Sequence, residues 1–264
     1  MILASATWFP LSLYLAAALA YALAAAAFWR RHGLANVALL LAWMLHAGLL
    51  AVGLLDQSPK FGFAPALSFT VWLVAATYAL ERRLYPQLQI HWSLGLLGAI
   101  SVLLSLMFPG QILAASASGW LPLHWALGLA SYGLIAVAVG HAWFMVRSEE
   151  RLRQADEPEV GLPLLTLERL TFRFAGAGFL LLSATLLAGL LFDEALYGSA
   201  WKWNHKTVFS MLSWLTFAVL MLGRLRLGWR GRYAARLLYI GSALLLLAYV
   251  GSRFVLEVLL GRAA

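Results

Sequence analysis

The sequence predicts an all-α integral membrane protein of about eight transmembrane helices. Its 264 residues are 63% hydrophobic and only 11% charged, which leaves more apolar surface than a soluble domain of this length buries. The apolar residues also form long runs near the ~20 residues that cross the hydrocarbon core, unlike the short alternating strands of a barrel. The predicted spans are 8–29, 34–55, 64–80, 92–108, 121–146, 169–192, 206–223 and 233–257.

The basic residues predict the orientation of these spans. Most of the 19 Lys and Arg residues lie in alternate loops, which the positive-inside rule places in the cytoplasm, so both termini are expected on the outer, periplasmic side. Because these loops fix topology and meet anionic lipid headgroups, the net charge of +8 does not indicate a nucleic-acid partner. The arginines concerned are Arg30, Arg31, Arg82, Arg83, Arg147, Arg151, Arg153, Arg169, Arg173, Arg224, Arg226, Arg230, Arg232 and Arg236.

The composition argues against several kinds of function. The absence of cysteine excludes a disulfide framework, a thiolate metal site and a dithiol relay within this chain. No Asp, Glu, Lys or Arg lies near the centre of a predicted span, which argues against a proton pump or an ion-coupled transporter. The sequence also lacks a Walker loop, a dinucleotide fingerprint and an HExxH motif. No catalytic residues are therefore predicted.

Three of the six histidines fall in the outer half of the predicted bilayer, each on a different span. His124 opens the fifth span and His205 opens the seventh, whereas His46 lies inside the second, about 14 Å below its outer end. Imidazoles on facing helices form the axial ligand pair of a haem in a helical bundle. We therefore predict His124 and His205 as the metal-binding pair, with His46 as the reserve candidate.

Aromatic and basic residues lie close to this pair in the sequence. A flat apolar macrocycle would stack on indole rings, and its carboxylates would pair with cations on the outer side. The tryptophans concerned are Trp120, Trp125, Trp201, Trp203 and Trp214, and the cations are Lys202, Lys206 and Arg253. Each feature also has an ordinary explanation, because Trp forms interfacial belts and a single interfacial His is often a polar anchor. Arg253 could likewise snorkel or pair with Glu257 one turn on.

Two stretches carry a family resemblance. Leu-His-Trp at 123–125, followed by Ala-Ser-Tyr-Gly at 130–133, resembles the "H…(A/S)Y" signature of the cytochrome c assembly permeases of the CcsA/CcmC type. The segments 198–214 and 228–232 resemble the tryptophan-rich outer "WWD" segment of that family and the Gly-Trp-Arg-Gly turn that follows it. Leu-His at 45–46 resembles the family's "LH" pair. The resemblance covers most of the chain and is strongest over 120–145 and 198–255.

The chain departs from the family pattern at two places. The family's "WDPKE" is Trp-Asn-His-Lys-Thr at 203–207, and the segment 258–262 has no counterpart of the family's second outer haem histidine. The sequence is therefore most similar to the compact YpjD/HemX-like branch, whose members carry "HK" at this point. His124 matches the first outer haem ligand of the family, and His205 is the expected replacement for the second.

The resemblance implies a single polytopic domain over 1–264, strongest over about 64–262, in the bacterial inner membrane. It implies a protein that holds or presents haem b at the outer face rather than an enzyme, with lipid, haem and an apocytochrome or other assembly factors as partners. The alternative is a non-haem accessory or regulatory protein of haem metabolism with the same fold, which the Asn at 204 and the missing terminal histidine favour. A small-molecule transporter or quinone-linked subunit is a third possibility, and the lack of mid-membrane charges counts against it.

Overall fold

The computed structural model describes residues 5–27, 32–56, 60–88, 92–112, 121–154, 162–197 and 204–260, and it is almost entirely helical. The helices are α1 Ser5–Ala27, α2 His32–Leu55, α3 Phe63–Leu84, α4 Trp92–Met107, α5 Leu121–Arg153, α6 Leu164–Tyr197, α7 His205–Leu227 and α8 Gly231–Leu246. Beyond α8 the helix continues through the π-helical turn Leu247–Gly251, α9 Ser252–Phe254 and a second π-helical turn, Val255–Leu259. Two short antiparallel strands, β1 Lys60–Phe61 and β2 Gln111–Ile112, pair Lys60 with Ile112.

The predicted all-α membrane fold is confirmed. In the described part of the chain, seven helices are long and apolar enough to cross a bilayer, and α4, with 16 residues, is a shorter apolar helix. The helical residues 231–259 form one of the seven. α5 and α6 extend well beyond the predicted spans, because their charged end turns stay helical outside the hydrocarbon, where the apolar pattern stops. The side on which the termini lie stays a prediction.

α1 shows how the helices distribute side chains between protein and lipid. It buries Tyr21 among small residues such as Ala17 and Ala24, and it exposes larger ones, with Leu19 61% and Leu23 54% accessible. In water this arrangement would be unfavourable, but lipid chains accept leucine as readily as a protein interior does. Small residues inside then let helix backbones approach closely.

The contacts divide the chain into two compact units. The first comprises residues 1–84, 89–114 and 253–264, and in it α1 packs on α2 and α4, and α3 packs on α4. The second comprises residues 85–88 and 115–252, and in it α5 packs on α6 and α8, and α7 packs on α6 and α8. The single domain that the family resemblance implies stays a prediction.

A buried hydrogen-bonded histidine links three helices of the first unit. His46 Nδ1 lies 3.1 Å from the Tyr21 hydroxyl and Nε2 lies 2.7 Å from the Ser68 hydroxyl. All three side chains have no accessible surface. A neutral imidazole has one donor and one acceptor nitrogen, so the two hydroxyls satisfy the whole ring. The Tyr21 ring in turn lies over Gly98 of α4, where a Cβ would come within 2.4 Å of Tyr21 Cδ1.

In the second unit, a charged cluster links the start of α6 to the turn between α7 and α8. Glu168 of α6 accepts from Arg224 of α7 at 2.7 Å and lies 3.7 Å from Arg230. Arg224 also donates to the carbonyl of Trp229 at 3.2 Å. The indole of Trp229 packs on Gly223, where a Cβ would come within 2.0 Å of the ring. This cluster therefore fixes the Gly-Trp-Arg-Gly turn between α7 and α8.

The contact of Tyr21 with Gly98 yields a testable expectation. Replacing Gly98 by alanine displaces the Tyr21 ring and with it the hydrogen bond to His46, so we expect a loss of about 1–3 kcal/mol of stability. Gly48 of α2, which has open space around its Cβ position among the described residues, provides a matched control. Gly48→Ala is expected to leave stability unchanged or raise it by up to about 1 kcal/mol. Thermal unfolding in detergent micelles measures both, and equal midpoints for the two variants would contradict the packing described.

Candidate functional site

His124 lies in the first turn of α5 and packs against α6. The helix begins at Leu121, and its first turn includes Pro122. Proline is tolerated there because the N–H groups of a first turn have no partner within the helix. The imidazole is half-buried. A Cβ at Gly189 of α6 would lie 3.6 Å from His124 Cε1, so the absence of a side chain there leaves space beside the ring.

His205 is the first residue of α7, and its place is set by a helix cap. Asn204 has an extended backbone, and its side-chain oxygen accepts from the Thr207 N–H at 3.0 Å and from the Thr207 hydroxyl at 3.2 Å. Asparagine and aspartate cap helices about equally well, so the Asn at 204 preserves the cap that an Asp would form. The imidazole of His205 is exposed.

The helix directions place both histidines at the same end of the second unit. α5 and α6 are antiparallel, because Gly189 lies beside His124 and Gly178 beside Ile135. α7 is antiparallel to α6 in turn, because Trp214 contacts Ser183 and Arg224 contacts Glu168. The N-terminal ends of α5 and α7 therefore lie on one side.

α6 contacts both α5 and α7, so the levels of the two histidines can be compared along it. Trp214 Nε1 donates to the Ser183 hydroxyl at 2.8 Å, which sets residues 214 and 183 at one level. His205 lies nine residues before Trp214 on α7, or about 14 Å further out, and Gly189 lies six residues beyond Ser183 on α6, or about 9 Å. Since Gly189 lies beside His124, the two histidines differ in level along the helices by only about 5 Å.

The other predicted residues divide into three groups. Trp125 and Lys206 are partly buried in the second unit, next to His124 and His205 in the chain. Trp214 packs on Phe179 of α6, deeper than His205, so it joins two helices rather than lining the outer end. The remaining residues of the tryptophan-rich segments lie outside the described residues, and their roles stay predictions: Trp120, Trp201, Lys202 and Trp203.

His46 and Arg253 belong to the first unit, where each has structural contacts. Both ring nitrogens of His46 are hydrogen-bonded within the core, so the ring fits a structural role better than that of a ligand. Arg253 lies 3.9 Å from Glu257, the intrahelical pair that the sequence offered as the alternative for this arginine. The Glu257 carboxylate also lies 2.8 Å from the Cβ position of Gly62, next to β1.

Sequence reasoning did not identify the α6 residues beside His124. Gly189 and Thr185 lie on one face of α6, with Gly189 opposite His124 and Thr185 opposite Gly128. In a chain with 22 glycines, one more glycine in an apolar span carries no signal of its own. Only the register of α5 against α6 shows which glycine faces the histidine.

The sequence profile of the family described as Cytochrome C assembly protein matches residues 10–260. The chain belongs to this family. Because the match spans all eight apolar helices, the histidines at the ends of α5 and α7 lie inside the family region. The protein is thus a multi-pass inner-membrane protein of the cytochrome c assembly type.

Several relatives are similar over much of the chain. Cytochrome c biogenesis protein CcsA of Prochlorococcus marinus is 26% identical over 245 residues, which are 78% of each chain. Inner membrane protein YpjD of Escherichia coli is 28% identical over 258 residues, covering 83% of this chain and 97% of that protein. An uncharacterized 28.8 kDa protein of Azospirillum brasilense is 34% identical over 157 residues, 58% of each chain. No solved structure matches.

The cap at Asn204 can be tested separately from any ligand. Asn204→Ala removes the acceptor of the Thr207 N–H, which costs about 0.5–2 kcal/mol of local helix stability. We expect amide hydrogen exchange at residues 205–208 to accelerate about fivefold for ~1 kcal/mol, because the first turn of α7 frays more often. Asn204→Asp keeps the cap and serves as the control. Equal exchange in all three proteins would show that the cap does not fix His205.

Proposed function

We propose that this protein binds haem b at the outer membrane face and holds or presents it, and that His124 and His205 would hold its iron. The supporting observation is that the two histidines lie at one end of one unit, on α5 and α7, at levels along the helices that differ by about 5 Å. Two neutral imidazoles from different helices are a donor set that suits a porphyrin iron. Bound haem would supply the iron porphyrin that cytochrome c assembly requires.

The surroundings of both rings fit such a group. His205 is exposed, and His124 is half-buried beside a glycine, so neither ring must leave the protein core to reach a ligand. Lys206, the neighbour of His205, is a candidate partner for a haem carboxylate. The Asn204 cap orients the first turn of α7 and thereby the backbone that carries His205. Arg253 and His46 are not needed in this proposal, since both have structural contacts in the first unit.

The absorption spectrum of the purified protein tests the proposal. We expect a Soret band in the wild type and a loss of most of it in His124→Ala and in His205→Ala, because each change leaves the iron with one protein ligand. His32→Ala, a histidine at the opposite predicted face, is the control and should keep the spectrum. Imidazole added to His205→Gly should restore much of the band, since the space around an exposed ring is accessible to a free ligand.

Two results would overturn the proposal. Unchanged Soret bands in both single variants would show that the haem is bound elsewhere. A colourless wild-type protein that co-purifies with another membrane protein, even after haem is supplied, would instead support the non-haem accessory or regulatory role. The family match and the Asn at 204 are compatible with that role, whereas the positions of His124 and His205 favour the haem-binding one.

A further inference from the structure

A groove runs between α2 and α3 in the first unit, with a volume of about 630 Å³. Its α2 wall includes Leu39 and Leu40, and its α3 wall includes the small residues Ala75, Ala76 and Ala79. Leu40 is 59% accessible, so the groove opens towards the lipid. It is independent of the histidines in the second unit.

Trp43 lines one end of the groove and stacks on Trp72. The indoles of Trp43 on α2 and Trp72 on α3 lie 5.2 Å apart with an interplanar angle of 6°. Each indole N–H donates to the backbone carbonyl of the other residue, at 3.3 Å and 3.2 Å. This reciprocal contact joins α2 and α3 at the level of the two indoles. Beyond it α3 presents alanines to the groove, and these small side chains leave an open channel rather than a filled interface.

The other end of the groove is cationic and polar. Arg82 and Arg83 line it from α3, and Asn36 lines it from α2, where its side-chain oxygen accepts a hydrogen bond from Arg82. Arg83 is exposed. Glu81, which precedes Arg82 in the sequence, is buried and does not line the groove. The groove therefore combines an apolar channel with a positively charged mouth.

The length of the groove matches one leaflet of a bilayer. Trp72 and Arg82 are ten residues apart on α3, or about 15 Å along the helix. Half of a hydrocarbon core of ~30 Å is also about 15 Å. The mouth then lies at the headgroup level and the tryptophan pair near the middle of the membrane. By the charge distribution, the mouth is on the side predicted to be cytoplasmic.

We propose that this groove binds one anionic phospholipid from the leaflet on the Arg82 side. The phosphate lies against Arg82 and Arg83, and one acyl chain lies along the alanines of α3 and ends at the tryptophan pair. Charge selects an anionic headgroup, since basic residues at the membrane surface attract anionic lipid. A porphyrin is also an amphipathic anion, so it is the alternative occupant of the groove. No His, Met or Cys lines the groove among the described residues, so the phenol of Tyr78 is the one usual haem ligand in its lining.

Native mass spectrometry of the full-length protein, released from detergent after incubation with defined lipids, tests the proposal. The probes are phosphatidylglycerol and phosphatidylethanolamine with identical acyl chains, and glycerol phosphate as a headgroup without chains. We expect one retained phosphatidylglycerol per protein. The double variant Arg82→Gln and Arg83→Gln should retain it about 25-fold less, at roughly fivefold per charge. Glycerol phosphate should not be retained.

Two further variants separate a groove from simple charge attraction. The double variant Arg226→Gln and Arg236→Gln removes two exposed arginines from the same predicted face without touching the groove, and it should bind phosphatidylglycerol like the wild type. Ala76→Leu with Ala79→Leu keeps the charges but fills the channel, and it should lose the retained lipid. If the Arg82 change prevents folding through its contact with Asn36, Arg83→Gln alone should still lower retention about fivefold.

The proposal fails under any of three results. Equal retention of the two phospholipids would show that the mouth does not select charge. Full retention in the channel-filling variant would show adsorption at the surface only. A bound species with the mass and Soret band of haem, lost with Arg82 and Arg83, would assign the groove to a porphyrin. Because none of these variants touches His124 or His205, the outcome is independent of the haem-binding proposal.

Discussion

Close contact between helix backbones is the constraint on which both units depend. Apolar side chains are as stable in lipid as in the protein interior, so their burial alone does not hold helices together. Close packing and hydrogen bonds between helices must do so. Two serines show how: Ser131 of α5 donates to the carbonyl of Gly178 on α6 at 3.0 Å, and Ser213 of α7 donates to that of Gly241 on α8 at 2.8 Å. A glycine has no side chain to shield its carbonyl, so the same residue permits close approach and accepts the hydrogen bond.

This packing in the middle of the helices positions the candidate site at their ends. The Ser131–Gly178 contact fixes the register of α5 on α6, and that register sets His124 opposite Gly189. The Trp214–Ser183 hydrogen bond fixes α7 on α6 in the same way and thereby the level of His205. The contacts that position the site thus lie deeper in the bundle, and they leave His205 exposed at the helix end.

Much of the fold followed from the sequence, whereas the identity of side-chain partners did not. The apolar runs predicted every described long helix, and the helix extends furthest beyond a predicted span at charged turns such as 147–153. The Arg253–Glu257 pair was also foreseeable, since residues four apart share one helix face. The partners of His46 were not, because Tyr21 and Ser68 lie on other helices, 25 and 22 residues away. Periodicity shows which face of a helix is buried, but not which helix it meets.

The histidines show that access, more than depth, distinguishes the structural His46 from the two proposed ligands. His46 was singled out because it lies in the outer half of the predicted bilayer. A polar side chain inside a membrane span is costly, and that cost is offset here by two hydroxyls that complete the ring's hydrogen bonding. Because both ring nitrogens are hydrogen-bonded within the core, neither remains available to bind a ligand. His205 is in the opposite situation: the Asn204 cap fixes its backbone while the imidazole remains exposed. A residue held in place by its backbone, with its side chain accessible, is the arrangement that ligand binding requires.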